Sequence, residues 1–222
     1  MQQLFGNRRL PDASLAQRGV RQNVRWLTHL LALLPAAILM WDWLNGNLSV
    51  NPVQEAIQRS GRIAITLLVA TLAMRPLSHW LRQNALLAQR RPLGLYAFAY
   101  ALLHVGLFLF FDYQLALPLI YQELVEKPYL WFGAGAFVIL LPLAITSFRP
   151  WIHKLGKAWK RLHRWTYVAA ILAVLHYSGA VKGDFLALRG EVLGPWAYGA
   201  GVAFLRAWRV WRRFCRESAL HD

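Results

Sequence analysis

Six apolar stretches recur along the chain, at residues 26–44, 63–74, 93–111, 129–148, 165–181 and 192–205, with polar and basic segments between them. A helix needs about 20 largely uncharged residues to cross a hydrocarbon core of roughly 30 Å. The first, third and fourth stretches meet that length, and Asp42 is the one charge within the first. The second and sixth are short, so their ends are expected to be completed by snorkelling residues such as Arg62 or by groups at the interface. The pattern therefore predicts an all-α, polytopic membrane protein with a bundle of six transmembrane helices.

The connecting segments give the orientation, because basic residues collect on the cytoplasmic side of a membrane. Twenty of the 25 Lys and Arg fall in four segments: the amino-terminal one, the second-to-third connection, the fourth-to-fifth connection and the tail. The remaining connections hold Arg59, Arg62, Lys127, Lys182 and Arg189 with seven of the ten acids. This alternation places both termini in the cytoplasm. It divides the chain into a basic segment 1–24, a membrane domain 25–210 and a basic tail 211–222. The first stretch is too long for a typical signal-peptide core and lacks a small-residue cleavage pattern, so it is expected to stay as the first span.

Composition narrows the class further. The 222 residues carry a formal net charge of +15, yet 57% are hydrophobic and only 16% charged. That content excludes a disordered basic tail. The sorting of charge by connection, rather than onto one face, argues against a nucleic-acid binder. One cysteine, Cys215, excludes an internal disulfide or a Cys-clustered metal site. Trp41, Trp80, Tyr129, Trp151 and Trp165 stand at expected span ends, where amphipathic rings anchor helices. No internal repeat is legible, and Gly133 and Gly135, inside an apolar span, make no phosphate loop.

Ionisable groups at bilayer depth are costly and call for a reason. Of seven histidines only His104 and His176 lie well inside expected spans, without Asp, Glu, Lys or Arg at that depth. They stand 13 and 14 residues beyond Arg91 and Leu162 on the third and fifth spans, which both run outward. At 1.5 Å per residue both are roughly 20 Å above the inner face. Two imidazoles at one depth on two helices are what haem iron takes as axial ligands, a ligation that favours electron transfer. A plainer role, each histidine bonding a backbone carbonyl, stays open, as does that of relay groups in a small transporter or proton channel.

A second level lies nearer the inner face. Arg90 precedes His104 by 14 residues, which leaves the two side chains roughly 40° apart on an ideal helix. His163 precedes His176 by 13 residues, about 140° away, so a shared face there requires distorted helix. Arg90 as a snorkelling cation and His163 as an interfacial group are the alternatives.

The stretch from Arg90-Arg91-Pro92 through Leu102-Leu103-His104 resembles the third-helix motif of the MsrQ (YedZ) family, within the ferric-reductase-like transmembrane superfamily. So do Gly156-Lys157, Leu162-His163 and Leu175-His176-Tyr177, and the run from Gly61-Arg62 to Arg75-Pro76-Leu77. The likeness covers about residues 23 to 210.

The resemblance implies a multi-pass protein of the bacterial inner membrane that holds haem b, one or two per chain, between the third and fifth spans. His104 and His176 would ligate the outer haem iron and His163 an inner one. Two-haem members of the superfamily carry a histidine where this chain has Arg90, so Arg90 would more naturally pair with a haem propionate than bind iron. The family receives electrons from the quinone pool or a cytosolic flavin reductase, with FMN as a further cofactor. It passes them to MsrP, a periplasmic molybdopterin subunit of the heterodimer that repairs methionine sulfoxide in envelope proteins. On that reading the chain is the electron-transfer subunit of an oxidoreductase, and sulfoxide reduction belongs to the partner. A stand-alone cytochrome b that reduces ferric iron or quinone is the other redox reading.

Overall fold

The computed structural model describes residues 13–181, 183–184, 189–190 and 193–218. Helix α1 spans Ala13–Leu44 and α2 Pro52–Trp80, followed by a 3-10 segment Asn84–Gln89. Helix α3, Arg90–Gly106, continues into a π-helical turn, Leu107–Asp112. Then come α4 (Leu117–Glu126), α5 (Tyr129–Ile145), α6 (Arg149–Leu155) and α7 (Lys157–Leu162). A 3-10 turn at His163–Trp165 leads into α8, Thr166–Ala180, and α9 runs over Leu193–Ser218. Between α8 and α9 the one described extended pairing sets Gly183 opposite Gly190.

Local chemistry sets several of these boundaries. Asn51 caps α2 by accepting from the Gln54 amide at 3.1 Å, and Pro52 opens its first turn. Gly156, at φ +47°, sits between α6 and α7 in a conformation that L side chains resist. The second apolar stretch, short on hydropathy alone, belongs to a helix of 29 residues. The connection after residue 111 contains a helix of its own, α4, set at 112° to α5.

Among the described residues, three helical stretches are long and apolar enough to cross a membrane: Arg18–Leu44, Pro52–Trp80 and Asn84–Asp112. The bent pair α4 and α5 qualifies jointly as a fourth. Alone, α5 and α8 have 17 and 15 residues, and α9 places Arg206, Arg209, Arg212, Arg213 and Arg216 in its second half. The exposed surface is that of a membrane protein. Leu27, Leu30, Leu31, Ile38 and Trp41 of α1 face outward, an arrangement that suits lipid rather than water.

The buried centre lies where α2, α3, α5, α8 and α9 meet. Leu68, Leu72 and Leu140 pack there with Tyr167, Val202 and Leu205, and Ala97, Ala169 and Ala170 let the backbones approach. Helix α1 is pinned from outside: the Tyr100 hydroxyl donates to the Ala32 carbonyl at 2.8 Å, and Arg59 pairs with Asp42 at 2.5 Å.

The sequence shows no repeat, but the structure does. Helices α2 and α3 form one intimate pair, α5 and α8 the other. Ile57, Gly61 and His104 in the first correspond in place and role to Tyr129, Gly133 and His176 in the second, each pair 72 residues apart. What repeats is a backbone carbonyl, a missing side chain and a ring, which conventional repeat signals do not register.

Candidate functional site

The two deep histidines come together. The rings of His104 on α3 and His176 on α8 have centres 6.0 Å apart, with planes inclined at 79°. Each is fixed from behind by its partner helix. His104 Nδ1 lies 2.8 Å from the Ile57 carbonyl oxygen and His176 Nδ1 lies 3.1 Å from that of Tyr129. A carbonyl only accepts, so each Nδ1 carries the proton and each Nε2 keeps a lone pair. Anchoring one imidazole nitrogen to orient the other is how proteins prepare histidine as a metal ligand.

Two glycines make room for this. A Cβ on Gly61 would stand 2.9 Å from His104 Nδ1, and one on Gly133 would stand 2.7 Å from His176 Nδ1. Both distances are below van der Waals contact, so a side chain at either position would push a ring off its carbonyl. Gly179 supports the second arrangement: a Cβ there would meet Tyr129 Cβ at 2.3 Å. The π-helical turn begins three residues after His104, and such turns are frequent at functional sites.

The donor set defines what metal chemistry fits. No group of three or more His, Cys, Asp or Glu converges among the described residues, whereas an ion held by protein alone takes three or four ligands. Two opposed imidazoles suit a metal whose other ligands come from a macrocycle, as in haem. The ring centres of His104 and His176, 6.0 Å apart, are close enough for both residues to serve one such metal.

Arg90, at the start of α3, and His163, in the 3-10 turn before α8, lie within electrostatic range of each other. Arg90 Nε makes a long contact, 3.4 Å, with the Thr71 carbonyl. His163 Nδ1 donates to Trp159 O at 3.2 Å, and the Trp159 indole stacks on its ring at 4.0 Å. His163 Nε2 lies 3.4 Å from the Ser147 hydroxyl. The 3-10 turn supplies the distortion that an ideal helix lacks. Its residues advance about 120° each instead of 100°, so three of them narrow the angle between His163 and His176 from about 140° to about 80°.

Sequence reasoning missed Gly61, Gly133 and the carbonyls of Ile57 and Tyr129. Gly133 lies within an apolar run and Gly61 just before one, but nothing local marks which glycine faces a ring. It also passed over Arg206 and Arg209, whose guanidinium carbons stand 5.5 and 5.1 Å from the Tyr167 ring centre. His29 of α1 bonds the Tyr96 hydroxyl at 2.9 Å.

The family described as ferric reductase like transmembrane component matches residues 60–174. Among curated relatives, a protein of Xanthomonas campestris pv. campestris (strain 8004) is 39% identical over 202 residues, covering 87% of this chain and 89% of its own. One of Xanthomonas axonopodis pv. citri (strain 306) is 38% identical over 193 residues, covering 84% and 85%. One of Caulobacter vibrioides is 36% identical over 200 residues, covering 87% and 90%. All three are named protein-methionine-sulfoxide reductase heme-binding subunit MsrQ.

Proposed function

The chain belongs to the MsrQ family of ferric-reductase-like transmembrane components, and from that premise we propose that it is a haem b subunit carrying electrons across the bacterial inner membrane. The observation that supports this most directly is the facing pair His104 and His176, each with its proton held at Nδ1 and its Nε2 left for iron. Haem held by these two residues would supply one-electron iron chemistry. The chain's own residues orient the two rings, keep them neutral and surround them with apolar helices.

His163 and Arg90 serve a second level on this reading. His163 offers Nε2 as a ligand, and Arg90 balances a propionate rather than binding iron. Six spans with both termini in the cytoplasm, bounded by the basic segments 1–24 and 211–222, follow from the alternation of charge. They put the level of His104 and His176 toward the periplasm, where an electron leaves for an MsrP-like molybdopterin subunit that reduces methionine sulfoxide. Electrons enter at the inner side from the quinone pool or a cytosolic flavin reductase, with FMN as an additional carrier.

Purified protein tests the central claim. A Soret band that shifts on reduction is expected in the wild type, together with loss of the outer haem's signal in a His104→Ala, His176→Ala double variant. A well-folded, colourless wild type overturns the proposal and leaves the relay role for the two histidines. Reoxidation by the purified periplasmic partner separates the family role from that of a stand-alone reductase.

A further inference from the structure

At the inner end of the bundle, cations gather without anions among the described residues. Arg206 and Arg209 of α9 both lie over the Tyr167 ring of α8, at 5.5 and 5.1 Å. Arg90 of α3 interacts electrostatically with Arg209, with Arg75 at the end of α2, and with Tyr167. Four helices thus contribute to one positive focus. The described ion pairs, Arg59 with Asp42 and Glu55 and Lys127 with Glu123, stand near the opposite end. Arg209 Nε is buried and has no acceptor among the described residues.

Like charges brought together out of water repel, and a buried N–H without an acceptor costs about 1–3 kcal/mol. A guanidinium lying over an aromatic ring keeps its N–H edge free for a planar or tetrahedral oxyanion. One multiply charged oxyanion would satisfy Arg209 and offset the repulsion at the same time. We propose that Arg206 and Arg209, stacked on Tyr167, form a binding site for a phosphate group at the inner surface of the membrane.

A lipid headgroup and a soluble phosphoester share that chemistry, and reconstitution separates them. The full-length protein is placed in nanodiscs of phosphatidylcholine, and its Tm is followed through tryptophan fluorescence during titration with inorganic pyrophosphate. A second set of nanodiscs contains phosphatidylglycerol. A saturable rise in Tm with pyrophosphate identifies a soluble phosphate ligand, and a rise with phosphatidylglycerol alone identifies a lipid. In either arm Arg209→Gln weakens the response about tenfold, as expected for one lost guanidinium–phosphate pair. Arg206→Gln, at an exposed position, shifts it the same way should Arg209→Gln fold poorly, and Arg21→Gln on α1 leaves it unchanged.

A wild type indifferent to both probes overturns the site. So do Arg209→Gln and Arg206→Gln variants that respond as the wild type does. A wild type indifferent to phosphate whose Arg209→Gln variant shifts a haem potential would assign the cluster to a haem carboxylate and also overturns it. Haem spectra of the same samples keep the two proposals apart, since a colourless protein that binds phosphate fails only the redox reading.

Discussion

The ring centres of His104 on α3 and His176 on α8 lie 6.0 Å apart, although 72 residues separate them in the chain. Each ring is held by a carbonyl 47 residues before it. The pair is thus a product of two similar helix pairs set against each other, and the chemistry of the site depends on how closely those helices approach.

Gly133→Ala and Gly61→Ala probe that approach. The new Cβ would lie 2.7 Å from His176 Nδ1 or 2.9 Å from His104 Nδ1, so the ring must rotate off its carbonyl. Overpacking of this kind costs about 1–3 kcal/mol. Lower haem retention and an altered midpoint potential are expected in both variants. Gly94→Ala, whose Cβ would meet only the Thr71 side chain at 3.7 Å, leaves both unchanged. Haem content and a redox titration of the three variants check this, and normal haem binding in Gly133→Ala refutes the cradle.

His163→Ala tests the inner level separately. Haem per polypeptide is expected to fall by one equivalent while the spectrum assigned to His104 and His176 persists. Arg90→Gln keeps the haem and lowers its potential, because a cation beside a propionate favours the reduced state. Unchanged stoichiometry in His163→Ala confines the protein to one haem.

Cys215 is the chain's only cysteine and is exposed on α9. If the tail is cytoplasmic, a membrane-impermeant maleimide labels it in inverted vesicles and not in intact spheroplasts. Labelling from the periplasm would invert the orientation and reverse the direction of electron flow.

Lys127 pairs with Glu123 one turn before it, outside the helix pairs that carry the histidines. The hydrogen bond from Lys127 holds the Glu123 carboxyl below its ordinary value, against a smaller opposing effect of burial. A depressed carboxylate contributes stability above its unfolded-state value, and that contribution is lost as pH falls through the lower folded value. Lys127 is about half exposed, so the pair is worth no more than about 0.5 kcal/mol. Tm against pH for wild type and Glu123→Gln should therefore converge in acid and differ only slightly at neutrality. A large difference at neutrality would show that this connection bears on the whole fold.

Different residues were legible in the sequence to different degrees. His104 and His176 stood out because an ionisable group within a long apolar run needs a reason wherever it packs. Arg90 and His163 were visible as a spacing, but their relation depended on a 3-10 turn that nothing in His163-Arg164-Trp165 announces. Ile57 and Tyr129 could not be found, since they act through carbonyls that every residue possesses. Arg209 appeared as one more basic residue of a tail until α9 folded it over Tyr167.

The sequence by itself determined the solvent of this protein and its candidate ligands: apolar length and alternating charge follow from residue types, which transfer between lipid and water with energies that need no tertiary context. The tertiary structure alone decided which groups meet. The 72-residue repeat, the glycine clearances of 2.9 and 2.7 Å and the two cations over Tyr167 arise from interhelical distances, and those are set by packing over the whole bundle rather than by any local pattern.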